Sequence, residues 1–338
     1  RNFFTGMYTD NTEMMLGLIH GLLNDGIALD KDTMIKWWFA ENRRSMNHFW
    51  STWFCGFFGI GRNASYPNTA SPTRVLPLAL VANEQSRAQL CLASANATHP
   101  YSNSRAASLL LAEAGRHLYL VGAAGRLSVL SLSIAELEIR CEIDKSRKIF
   151  FDAELLHHLK VLEALPDYHD FGPRLQNAPM EILCGPQPIG WASARRKELV
   201  RGLDPDPMYI VGLVLYLVKW HQGPFDLLKH AMWIGGDVDT IGSLGLGLLG
   251  LTEGLKIGQT GGLPLWMVDD LEDFEGLVSL ADTFETWVQK HEQEHSAARK
   301  ALDKQDALEM QMQIETEFKR ASENMQRPAV TYEGSAQA

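Results

Sequence analysis

No stretch of this sequence alternates cleanly between apolar and polar residues, whereas apolar positions recur at three- and four-residue spacing along most of its 338 residues. Strands have period two and helices period 3.6, so the chain is predicted to be all-α. Thr12 to Leu23 places Met15, Leu18, Ile19 and Leu22 on one helical face, and 32–44 does the same with Met34, Ile35, Trp38 and Phe39. Further helices are predicted over 78–97, 104–120, 134–143 and 153–165. From Trp53 to Pro77, Gly, Asn, Pro and Ser predominate, the chemistry of a long loop. A second Pro- and Gly-punctuated stretch runs from Pro166 to Pro207.

No proline occurs between Pro264 and Pro328, and no glycine between Gly276 and Gly334. One long helix with mixed, self-pairing charges is predicted there. Phe284, Trp287, Val288 and His291 would anchor its first turns, and 284–323 is a candidate partner-binding face. The expected organisation is one domain over 1–275, a charged helical extension over 276–327 and a flexible tail over 328–338.

Charge narrows the partners. With 31 basic and 41 acidic residues the formal charge is -10, unsuited to neutralising nucleic-acid phosphates. The longest apolar run, Met208 to Val218, is too short to cross a bilayer, so neither nucleic acid nor membrane is expected. Cys55, Cys91, Cys141 and Cys184 lie too far apart in sequence to suggest a chelating pair. They read as reduced thiols, and a cytoplasmic setting is expected.

The densest chemical signal is Gly235-Gly236-Asp237-Val238-Asp239-Thr240, between an apolar turn and a helix. Two carboxylates and a hydroxyl are hard-oxygen donors of the kind magnesium prefers. The alternative is helix capping, which needs no metal. Tyr8-Thr9-Asp10-Asn11-Thr12 is a second oxygen-rich helix start with the same two readings. Gly245-Leu246-Gly247-Leu248-Leu249-Gly250 matches a dinucleotide-binding pattern but lacks the preceding strand, so its glycines are expected to serve helix packing.

The segments 8–14 and 235–242 together resemble the two metal-binding signatures of the ADP-ribosylglycohydrolase family. Arg74-Val75-Leu76-Pro77-Leu78, Ala97-Thr98-His99-Pro100 and Gly262-Leu263-Pro264-Leu265-Trp266 are similar to further family segments, in the same order. The resemblance implies an all-helical fold holding two Mg2+ ions, with Thr9, Asp10, Asp237, Asp239 and Thr240 as ligands. It implies hydrolysis of ADP-ribose from arginine- or serine-linked protein side chains, a metal-associated water attacking the anomeric carbon, with Asp10, Asp237 and Asp239 as the catalytic carboxylates. Gly235, Gly236, His99, Tyr66, Phe57 and Phe58 would contact substrate. Three departures stand out. Asn11 occupies a position where the family usually has an aspartate, weakening one ion position. The segment 67–74 lacks the family's Asn-Gly-x-x-Met-Arg pattern. The family's opening Gly-Asp-Ala-Leu-Gly helix and the glutamate that follows it have no counterpart here, so the first family helix is expected to be missing. The competing expectation is a catalytically impaired relative that keeps the fold as an ADP-ribose-binding or structural protein.

Overall fold

The computed structural model describes residues 8–44, 69–143, 153–167, 182, 206–221, 223–254 and 256–325. Among these the only β-structure is an isolated bridge, Ile257 with Leu263, so the chain is all-α. The first helices are α1 (Asp10–Asp25), α2 (Lys31–Arg44), the single turn α3 (Ala70–Thr73) and α4 (Glu84–Thr98). They are followed by α5 (Ser102–Val121), α6 (Val129–Ile143) and α7 (Ala153–Ala164). After these come α8 (Pro207–Trp220), α9 (Pro224–Ile234), α10 (Val238–Glu253), the short α11 (Leu265–Asp269) and α12 (Phe274–Met325).

The chain forms two compact units, one ending at Val288 and one beginning at Gln289. In the first, α5 is the central element and packs against α3, α4, α6, α8 and α10. The run Ser102–Glu142 is long and apolar enough by composition to cross a membrane. Here it buries Leu109, Leu110, Leu111 and Leu118 in the core. Helix α8 is buried on every side from Ile210 to Val218. Its start is fixed locally: Pro207 occupies the first turn, and the Asp206 carboxylate accepts from Met208 N at 3.0 Å and Tyr209 N at 3.2 Å. Phe284 and Val288 are buried, so the opening of α12 belongs to this core. The second unit, described to Met325, is helix with exposed Leu302, Leu308, Met310, Met312 and Ile314.

The helix expected over 78–97 is broken. Leu76–Leu80 is a 3-10 turn, and α4 starts afresh after Asn83, whose side chain accepts from Ser86 N at 2.8 Å. Arg87 fixes the bend, donating to Val81 O at 2.7 Å while its fork grips Glu113 of α5 at 2.9 and 2.7 Å. The break falls at the polar run Asn83–Arg87, where the Asn83 cap and the partly buried Arg87–Glu113 ion pair restart the helix. The loop expected from Trp53 to Pro77 likewise ends earlier, in α3 and the 3-10 turn. Cys91 and Cys141 are buried and form no disulfide with each other; Cys55 and Cys184 lie outside the described residues.

The glycines of the dinucleotide-like pattern serve packing. An added side chain at Gly245 would come 2.6 Å from Leu227 of α9, and one at Gly247 would collide with Leu76. Helix α10 therefore lies close against both neighbours, which sets where its N-terminus falls.

Candidate metal and substrate site

Helices α1, α3 and α10 touch one another pairwise, and their N-terminal ends bring together parts of the chain far apart in sequence. Thr9 is the N-cap of α1 and Asp237 the N-cap of α10, yet neither side chain caps its own helix. Capping does not account for either oxygen cluster. Before α10, Gly235 and Gly236 turn the chain with φ of 76° and 82°, a left-handed conformation that costs glycine little. Gly236 is exposed and Gly235 partly so, leaving the backbone there open to a ligand.

Asp237 is the hub. Thr69 Oγ1 donates to its Oδ2 at 2.9 Å, and the Thr240 hydroxyl also hydrogen-bonds it. Asn11 Nδ2 donates to Thr240 Oγ1 at 3.3 Å, which extends the chain of bonds from α1 through α10 to the residue before α3. Thr69 is held in place because α3 is pinned to α5: Ser71 Oγ lies 2.7 Å from Ser108 Oγ, which donates to Ser104 O at 2.8 Å.

The carboxylates crowd each other. Burial, then the charges of Asp239 and Asp237, push Asp10 up from 3.8 to about 7. Asp237 is also raised, to about 6, by burial first and then by the neighbouring Asp239 carboxylate. Beneath them sits Arg74, fully buried and held by neutral groups: Nε donates to Ser94 Oγ at 3.0 Å, and Nη2 to Ser94 O at 2.6 Å and Thr98 Oγ1 at 2.7 Å. Its guanidinium lies 4.3 Å from the ring centre of Trp38, whose Nε1 donates to Met14 O at 3.0 Å. Burial lowers Arg74 to about 9 while the Asp10 charge opposes that fall, so the residue stays cationic at neutral pH.

A raised carboxyl pKa makes metal-free stability fall as pH rises. Between about pH 4 and pH 7 folded Asp10 keeps a proton that the unfolded chain has lost, so this contribution disappears as pH passes through the folded value near 7. The metal-free melting temperature is expected to fall more from pH 5 to pH 8 in wild type than in Asp10→Asn. Magnesium at pH 8 should raise it in wild type alone. Equal pH slopes in the two proteins would remove Asp10 from this account.

The site residues predicted from sequence separate into three groups. Asp10, Asp237, Asp239 and Thr240 come together, with Thr9 heading α1 beside them and the open glycines adjoining. His99 faces inward: it is fully buried, its Nδ1 lies 2.7 Å from Thr98 Oγ1, and burial followed by the Arg74 charge drives it down to about 3. It is therefore a neutral packing residue behind Arg74 and offers no surface to a nucleotide. Phe57, Phe58 and Tyr66 lie outside the described residues. Sequence alone does not indicate Thr69 or the charge role of Arg74; its one signal is that Arg74 opens the Arg74-Val75-Leu76-Pro77-Leu78 segment and Thr69 lies shortly before it.

Among the described residues no three His, Cys, Asp or Glu side chains form a metal cage by themselves. The donor set nonetheless suits magnesium, which takes one or two carboxylates with hydroxyls and keeps several waters. Mutually repelling carboxylates joined by threonine hydroxyls are the chemistry such an ion would neutralise.

An all-α fold with an acidic, hydroxyl-rich site assembled from helix N-termini defines the class, and sequence comparison agrees. The profile of the ADP-ribosylglycohydrolase family matches residues 1–296, and the chain belongs to that family. A solved structure described as an ADP-ribosylglycohydrolase-related protein complex shares the fold with a TM-score of 0.56. The match covers 84% of this chain and 82% of that one at 18% identity. No curated protein matches the sequence.

Proposed function

We propose that this protein is a magnesium-dependent hydrolase that releases ADP-ribose from modified protein side chains, arginine- or serine-linked. The observation that carries this reading is the pair of unspent helix caps, Thr9 and Asp237, set beside Asp10, Asp239, Thr69 and Thr240. Thr9, Asp10, Asp237, Asp239 and Thr240 would hold the metal, which when bound orients the ribose hydroxyls and makes water a better nucleophile.

The chain's own groups then have distinct tasks. Among the site carboxylates, Asp10 would take a proton from the attacking water and return it to the leaving side chain. The glycosidic bond breaks as the hydroxyl joins the anomeric carbon, and positive charge growing there is opposed by the surrounding carboxylates. Gly235 and Gly236 present bare backbone to the substrate, and Phe57, Phe58 and Tyr66 remain candidates for stacking on adenine. Thr69 and Thr240 keep the Asp237 carboxylate oriented.

Purified protein with magnesium is expected to release ADP-ribose from an arginine- or serine-linked conjugate and to stop on chelation, measured by chromatography of the freed nucleotide. One observation favours the impaired relative: Asn11 places an amide donor on Thr240 at the edge of the site. Metal binding without release from either linkage would favour that reading. Neither release nor metal binding would sink both the hydrolase assignment and the metal site.

A further inference from the structure

On the second unit Leu302, Leu308, Met310, Met312 and Ile314 are each more than half exposed. Large apolar side chains scattered singly over a surface are ordinary, but a run of them along one helix marks a face that something covers. The helix does not cover it by turning back, because no proline or glycine interrupts 277–325 and α12 stays helical to Met325.

The spacing defines a seam. Ala298, Ala301, Gln305, Leu308 and Met312 take the two core positions of a seven-residue repeat, Leu302 adjoins them, and all six are exposed. Such a stripe is the line along which one helix packs on another. Leu302, Leu308 and Met312 supply apolar contact, and the two alanines let the backbones approach. Met310 and Ile314 lie off this seam.

Charge selects the occupant. Arg299, Lys300 and Lys304 outnumber Asp303 along 298–304, a net of plus two, whereas 305–316 carries Asp306, Glu309 and Glu315 and no Lys or Arg. A second copy of this chain, laid antiparallel and crossing near Gln305, sets each basic half against the acidic half of the other copy. A parallel copy in register would set like charges together. Gln305 itself suits the crossing. One N–H of its amide is given to Glu309 Oε1 at 2.9 Å, and its other N–H and its carbonyl are self-complementary across a two-fold axis.

We infer that this protein forms a two-fold symmetric dimer through α12, the helices antiparallel along the 298–312 seam and crossing near Gln305.

The test is sedimentation equilibrium of the full chain, with circular dichroism to confirm folding. Wild type is expected to show twice the chain mass, and Leu308→Glu, a change at an exposed position, is expected to be a folded monomer. Orientation is read from disulfide cross-linking, with wild type as the control for the native cysteines. Gln305→Cys is expected to cross-link. Ala298→Cys is not, because in the antiparallel pair its two copies stand about 21 Å apart along the axis at 1.5 Å per residue. A dimer that persists in folded Leu308→Glu would overturn the inference by placing the interface elsewhere, and cross-linking of Ala298→Cys as readily as Gln305→Cys would overturn the antiparallel arrangement. A wild-type monomer would overturn it outright: 298–312 amides slow to exchange hydrogen would then show the seam covered by this same chain, and fast ones would leave it to a different protein.

Discussion

Asp237→Asn is expected to lower ADP-ribose release by roughly 10²–10³-fold or more, the scale of removing one preorganised electrostatic group from an active site. Asp237 has the most connections of the site carboxylates: it accepts from Thr69 and Thr240, is raised by the neighbouring Asp239 carboxylate, and adds to the charge that raises Asp10. Asparagine keeps the shape but removes the charge. Because the Asp237 side chain makes no capping bond to α10, helix content should not change. The metal-free variant should be as stable as wild type or more so, since a repelled carboxylate has gone, an exchange of stability for function common at active sites. Rates measured beside circular dichroism and melting temperature separate these effects. A folded variant with undiminished release would remove Asp237 from the mechanism.

The second large effect concerns folding. Arg74→Met is expected to cost roughly 3–5 kcal/mol, the range seen when one member of a buried charged network is removed. Arg74 ties together α1 through Met14, α2 through Trp38 and α4 through Ser94 and Thr98. Methionine fills part of the volume but leaves the Ser94 carbonyl without that donor and removes the cation that faces Asp10. Lysine would not rescue fully, because an ammonium lacks the planar fork that reaches Ser94 and Thr98 together. Urea unfolding with an unchanged m-value is the measurement. A loss under about 1 kcal/mol would place the stabilisation elsewhere, since ordinary surface changes fall near that size.

The helices were legible because their apolar spacing is local, and the two acidic motifs because Gly-Gly-Asp-x-Asp-Thr is dense and unusual. What sequence could not show was which way side chains face. Arg74 sits in a recognisable segment, yet arginine is ordinarily exposed, and nothing nearby in the chain signals its burial. His99 fits a nucleotide-facing turn equally well by residue type; the fold turns it inward behind that arginine. Thr69 was hidden for another reason. Its partner Asp237 lies 168 positions away, and no local pattern encodes a bond of that span. The break before α4 has a local signal, the capping residue Asn83 opening five polar residues up to Arg87, but the Arg87–Glu113 pair that fixes it is a tertiary contact no local pattern encodes.

The bond from Asn11 to Thr240 closes a loop of 229 residues. A growing polypeptide emerging from the ribosome therefore has no site at all until α10 has been synthesised and has docked against α1, however early the first helices form. Ring closures of that length are made late, since the entropy of joining distant segments must be overcome before their contacts contribute. The same order should run in reverse under stress: undocking of α10 would extinguish metal binding while most helical signal persists, which would make retained metal a sensitive reporter of intact tertiary structure.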